Sequence, residues 1–205
     1  MRAFKMTTLA AGASALLLTA PAMAQTIEAV IEGPMGPCTQ AHFEPERYMA
    51  DFAEAGWLPL PEDALPLAVE LLSEAFLPLT HPREQSPAST VDARLDLAQA
   101  FWNEQLEGRL VLLNQETLLF MRGFTDNEGS QLLDCWMVTP DAEFVDGLIA
   151  GADAEAGAIT DRAVTVSWGP APLDDRTVLG LVATRQPLPQ GPTHGLHTQL
   201  IRAAD

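Results

Sequence analysis

The chain has 205 residues, with 28 acidic against 11 basic side chains, a formal charge of −17 and an apolar fraction of 47%. Apolar content near half excludes a disordered chain, and so negative a field repels nucleic acid and anionic lipid while attracting cations or basic partners. The acidic residues form no run of five or more, so they read as a solvated surface rather than an interaction tail.

At the start of the chain Arg2 and Lys5 precede an apolar stretch, Leu9 to Thr19, which leads into Pro21-Ala22-Met23-Ala24. That order, with small residues three and one before a cut, predicts a signal peptide over residues 1–24, its apolar part too short to span a bilayer well. Neither a cysteine directly after it nor an arginine pair before it is present, which predicts the general export route without a lipid anchor. The expected product starts at Gln25, is periplasmic or secreted, and has no stable membrane insertion after cleavage. Losing the leader removes the one lysine and Arg2, leaving nine arginines against 28 acids, a formal charge of about −19. Residues 25–205 suffice for one domain, divided into an extended arm (25–44), a helical part (45–107) and a sheet-forming part (109–205).

The arm contains Gly33-Pro34-Met35-Gly36-Pro37, a turn, and then Cys38. Cys38 and Cys135 are the two cysteines, and in an exported chain the expectation is that they pair. Such a bridge would tie the arm to the sheet-forming part. Without a Cys-x-x-Cys pattern, thiol redox catalysis has no motif.

From Pro45 the period becomes helical, with Tyr48, Met49, Phe52 and Ala55 on one side, Glu46, Arg47, Asp51 and Glu54 on the other, and Gly56 at the end. A second helix is predicted from Asp63 to Phe76 on the stripe Leu65, Val69, Leu72 and Phe76, with Pro66 in its first turn and Leu77-Pro78 ending it. Pro82, Ser86, Pro87 and Ser89 then mark a loop. Ser89 or Thr90 caps a third helix to Glu107, whose Val91, Leu95, Ala98, Phe101, Trp102 and Leu106 should face the sheet. Leu110 to Leu113 is too short for periodicity to separate strand from helix.

Thr117 to Phe124 and Gln131 to Val138 are apolar runs joined through Asp126-Asn127-Glu128-Gly129, which suits a three-residue hairpin loop with its glycine in the left-handed region. Pairing Asp126 with Ser130 sets Phe124 opposite Leu132, Arg122 opposite Asp134 and Phe120 opposite Trp136, with Met121 opposite Cys135 on the other face. Thr139 is the expected cap of a short helix carrying Phe144, Leu148 and Ile149, followed by an acidic loop, Gly151 to Gly157. Strands are predicted at Ala163 to Trp168, Thr177 to Thr184 and Leu196 to Arg202, with Pro170–Pro172 and Pro187–Pro192 as joints between them. Helices first and strands afterwards define an α+β fold, N-terminal helices packed on a mainly antiparallel sheet.

The sequence contains no nucleophile elbow, zinc-protease pair, phosphate loop or dinucleotide fingerprint, and no cofactor is indicated. The histidines are His42, His81, His194 and His197. His194 and His197 are the metal candidates, yet positions three apart in a strand point to opposite faces, so a shared ion needs the chain to bend. Asp134, an acid within an apolar run, reads either as a buried general acid or base or as the cross-strand partner of Arg122, and the pair is the preferred reading. Trp57, Trp102, Trp136 and Trp168 read as core before sugar platforms. The expected function is binding or interaction with a protein or small molecule by an exported, soluble chain without identifiable catalytic machinery. A small periplasmic hydrolase using Asp134 and Arg122 with a histidine is the alternative, and a divalent-cation-binding protein the third.

Overall fold

The hairpin loop forms as its residues demand. Asp126 N–H donates to the Ser130 carbonyl at 2.9 Å, and Gly129 takes φ +86°. The Asp126 carboxylate accepts from Glu128 N and Ser130 N at 2.9 and 2.8 Å, closing the turn from its own side chain. The register that follows, in strands β3 (Thr117–Thr125) and β4 (Gln131–Thr139), is the expected one, with Arg122 opposite Asp134, Phe120 opposite Trp136 and Met121 opposite Cys135.

In this computed structural model, residues 35–39, 45–83, 85–88, 90–140, 142–150, 157–160, 163–188 and 191–204 are described. The expected leader (residues 1–24), His42 and most of the arm and acidic loop lie outside them. Around the hairpin runs an eight-stranded sheet in the order β1-β2-β3-β4-β8-β7-β6-β5, every neighbour antiparallel. Its other strands are β1 (Leu58–Pro59), β2 (Val111–Asn114), β5 (Gly157–Thr160), β6 (Ala163–Pro172), β7 (Thr177–Leu188) and β8 (Gly191–Arg202). The stretch before the hairpin is thus a strand, because Val111 and Leu112 bury on opposite faces against Phe120 and Leu119.

Alternation gives the sheet two apolar faces, each with its own layer of helix. One face carries Leu119, Leu133, Cys135, Met137, Leu181, Leu196 and Leu200. The arm, α1 (Pro45–Glu54) and α4 (Ala142–Ala150) cover it through Met35, Cys38, Tyr48, Phe52, Val145 and Leu148. The other carries Leu118, Phe120, Trp136 and Val138 beneath α2 (Leu65–Thr80) and α3 (Val91–Leu106), which contribute Val69, Leu72, Phe76 and Trp102. Cys38 and Cys135, both fully buried, are bonded across 97 residues and tie the arm to the central strand. Thr90 caps α3, its hydroxyl accepting from Ala93 N at 3.3 Å.

Several boundaries differ from expectation for identifiable reasons. Residues Glu62–Ala64 form a 3-10 turn, so α2 starts at Leu65, and Pro78 lies inside it rather than ending it. The helix continues because Phe76 and Leu77 are fully buried, and because Thr80 Oγ1 and His81 N still donate to the Phe76 and Leu77 carbonyls. Thr139 closes β4, hydroxyl to hydroxyl with Thr117 at 3.1 Å. In their described residues both proline joints are strand. A register shift between Trp168 and Ala171 lets β6 absorb Pro170, and β7 and β8 run on to a Pro187–Pro192 pair. There β6 and β4 have already ended, at Arg185 and His194, so each strand has an open side that asks for no N–H.

One contact fixes how closely α2 approaches the sheet. A Cβ on Gly195 would lie 2.8 Å from both the Phe76 ring and the Thr184 hydroxyl, which itself donates to the Ala75 carbonyl at 2.6 Å. Gly195→Ala is therefore expected to destabilise the fold by about 1 to 3 kcal/mol through overpacking. Urea unfolding measures it, and an unchanged midpoint would mean that α2 does not sit this close.

Candidate functional site

The central strands place Asp134 on the α2–α3 face at 2% exposure, between two neighbours whose register brings donors to it. Arg122 Nη2 donates to Oδ2 at 2.7 Å, and Gln199 Nε2 donates to Oδ1 at 3.0 Å. His197 stands on the same face, its Nε2 3.5 Å from Oδ1 and its ring stacked on Trp136 at 3.6 Å and 12°. Arg122 Nη1 also donates to Gln105 Oε1 of α3 at 2.8 Å, and its guanidinium lies 5.4 Å from the Phe124 ring centre.

Burial pushes the Asp134 carboxyl up, but the nearby His197 ring, at 3.5 Å and without a formed hydrogen bond, and the bonds from Arg122 and Gln199 outweigh it and hold the group at about 2, against an ordinary 3.8. An acid so held has no proton to give near neutral pH, and its lone pairs are directed at fixed donors, which suits a structural anion better than a general acid or base. With the folded value depressed, the stability it contributes is complete above the unfolded value and lost as pH falls through 3.8 towards about 2. Unfolding measured from pH 5 to 2 should show a steeper acid loss for the wild type than for Asp134→Asn. Parallel curves would show that the carboxylate has no such protection.

The structure joins Asp134, Arg122 and His197 but separates the two metal candidates. Both lie in β8, where His194 pairs with Thr139 and Arg185 on the α1–α4 face while His197 points the other way. Among the described residues, no three His, Cys, Asp or Glu side chains converge to hold an ion. His81 stands edge-on to Phe101, where burial and then Arg94 push its pKa down. Gln199 and Gln105 had no sequence signal, since the β4–β8 neighbourhood and the placement of α3 are non-local.

Two of the cavities lined by described residues flank the hairpin. One of about 510 Å³ is lined by Trp57, Glu116, Thr117, Met137, Thr139 and Phe144, among others. The second, about 300 Å³, lies at the turn end of the hairpin among Tyr48, Met121, Gly123, Phe124, Leu132 and Leu133. Neither is lined by Asp134, Arg122 or a histidine. Trp57 and Trp102 are buried to within 2% and Trp136 packs edge-on against Phe76 and Trp102, so these three serve the core; the Trp168 side chain is outside the described set.

The disulfide is consistent with an oxidising compartment. Among the described residues no helix is long and apolar enough to cross a membrane. No protein-family model matches the chain, and no curated protein or solved structure matches it at a significant level.

Proposed function

We propose that this is an exported protein that works by binding a partner rather than by catalysis, the disulfide-tied sheet serving as a rigid scaffold. The observation that carries this reading is the state of Asp134: held ionised with one fixed donor on each oxygen, Arg122 and Gln199, and lining neither of the two cavities described above. A hydrolase would need that carboxylate open to substrate beside a second polar group. Cation binding is the weaker alternative, since the negative charge is dispersed.

Export through a leader cleaved after Ala24 belongs to the same proposal, supported by the order of charge, apolar stretch and small residues in 1–24. Intact-mass analysis of exported protein should give a chain starting within a residue or two of Gln25. A product retaining Leu16 to Leu18 would contradict it. For binding itself, the processed, oxidised protein is used as bait in native periplasmic or secreted extract, with its reduced, denatured form as control. A partner retained by the folded form alone supports the reading, and a hydrolytic activity that Asp134→Asn abolishes would overturn it.

A further inference from the structure

We propose that the outer edge of β3, Gly123 to Thr125, docks an extended cationic segment of a partner protein, which adds as a strand and seats one apolar side chain in the notch at Gly123. This names a site for the binding reading above and rests on it. The first support is backbone parity. Because Asp126 N donates its ladder bond to Ser130 O and the register runs unbroken, Arg122 and Phe124 spend their N–H and C=O groups on β4. Gly123 and Thr125 therefore present theirs to the outside, beyond the end of β2, whose pairing stops at Val111–Phe120 with Leu110 beside Met121, and among the described residues no strand covers them.

The second support is how the two ends of this half-sheet differ. Its outermost strand, β1, is two residues long and contains Pro59, a normal way of blunting an edge. The β3 edge has no proline, no bulge and no lysine, and Gly123, Phe124 and Thr125 are exposed. Gly123 has no backbone reason to be glycine, since its φ is not positive and it lies in regular ladder. A glycine inside a strand without a bulge marks close approach by another chain or a ligand. A Cβ there would meet only Leu132 O at 3.8 Å and Leu133 Cδ1 at 3.9 Å, so the missing side chain leaves real space, continuous with the cavity of about 300 Å³ beside Tyr48 and Met121.

Charge selects the occupant. Arg122 is already paired with Asp134, whereas Asp126 and Glu128 at the turn and Glu104 and Glu107 flanking Gln105 are exposed. A second copy would bring the same acidic groups, on a chain of formal charge −17, to the same edge. A basic strand meets them favourably, with main-chain bonds for affinity and the notch for selectivity.

The test uses the oxidised mature protein and a capped peptide, Lys-Thr-Val-Leu-Val-Thr-Lys, against its counterpart with Glu in place of Lys. Calorimetry gives affinity, and amide hydrogen exchange locates the site. The lysine peptide should protect the Gly123 and Thr125 amides and bind at least about tenfold more tightly than the glutamate peptide. Gly123→Pro removes one outward N–H without touching a β3–β4 bond, and Gly123→Leu fills the notch. Each should weaken binding about tenfold or more with the urea midpoint kept, and should Gly123→Pro not fold, Gly123→Leu decides. No protection at millimolar peptide, or equal binding by the variants, overturns the proposal. So does concentration-dependent protection of these amides without peptide, which would give the edge to a second copy. A partner captured equally by wild type and Gly123→Leu would leave the binding reading intact and remove this edge as its site.

Discussion

Reducing the Cys38–Cys135 bond is expected to produce one of the two largest losses of stability available to this protein, up to about 4 to 5 kcal/mol. The bond closes a loop across 97 residues, so in the unfolded chain it restricts the freedom of the whole helical part and the first strands of the sheet. In the native state both sulfurs are fully buried among Met35, Tyr48, Leu133 and Met137, and two thiols fill nearly the same space. The loss therefore lies mainly in the denatured state, and the folded spectrum should survive reduction while the midpoint falls. Set against the usual 5 to 15 kcal/mol for a domain, reduction brings the protein close to its unfolding limit (about 1.4 kcal/mol is already tenfold in the equilibrium). Urea unfolding with and without reductant measures it. An unchanged midpoint would show that the arm holds to Cys135 by packing alone.

How much of this was legible depends on whether the determining chemistry is local. The hairpin register could be read because Asp126 and Gly129 dictate the turn, and the turn then dictates every pair up to Leu118–Val138. The Cys38–Cys135 pairing could be read because there are two cysteines. Pro78, Pro170 and Pro187 misled for one reason: each lacks an N–H, and whether that matters depends on what lies alongside. Burial of Phe76 and Leu77 carries α2 past Pro78, and the open sides of the β7–β8 tip accept Pro187 and Pro192. For the polar cluster, Arg122 and Asp134 followed from the hairpin, but Gln199 and His197 reach them through the β4–β8 pairing some 65 residues on. No local pattern announces a neighbour at that separation, and the same holds for Gln105, placed by the packing of α3 on the sheet.

The second large effect concerns the Arg122–Asp134 pair, and its two halves should not be equal. Asp134 is 2% exposed and Arg122 33%. Arg122→Gln leaves a buried carboxylate with only Gln199 and the more distant His197 Nε2, and should cost about 3 to 5 kcal/mol. Asp134→Asn leaves a guanidinium that keeps Gln105 and can turn to solvent, so the cost is that of a lost charge-assisted bond, about 1.5 to 3 kcal/mol. Once either is gone, removing the other has little left to break, and the double variant should cost less than the sum of the singles. A catalytic Asp134 would behave in the opposite way, because neutralising a strained, functional charge commonly raises stability. The urea-unfolding double-mutant cycle on the oxidised mature chain therefore tests most directly whether this cluster is scaffold or active site. The structural reading requires both singles to destabilise, Arg122→Gln the more, with clear coupling between them; a stabilised Asp134→Asn, or additive singles, would contradict it.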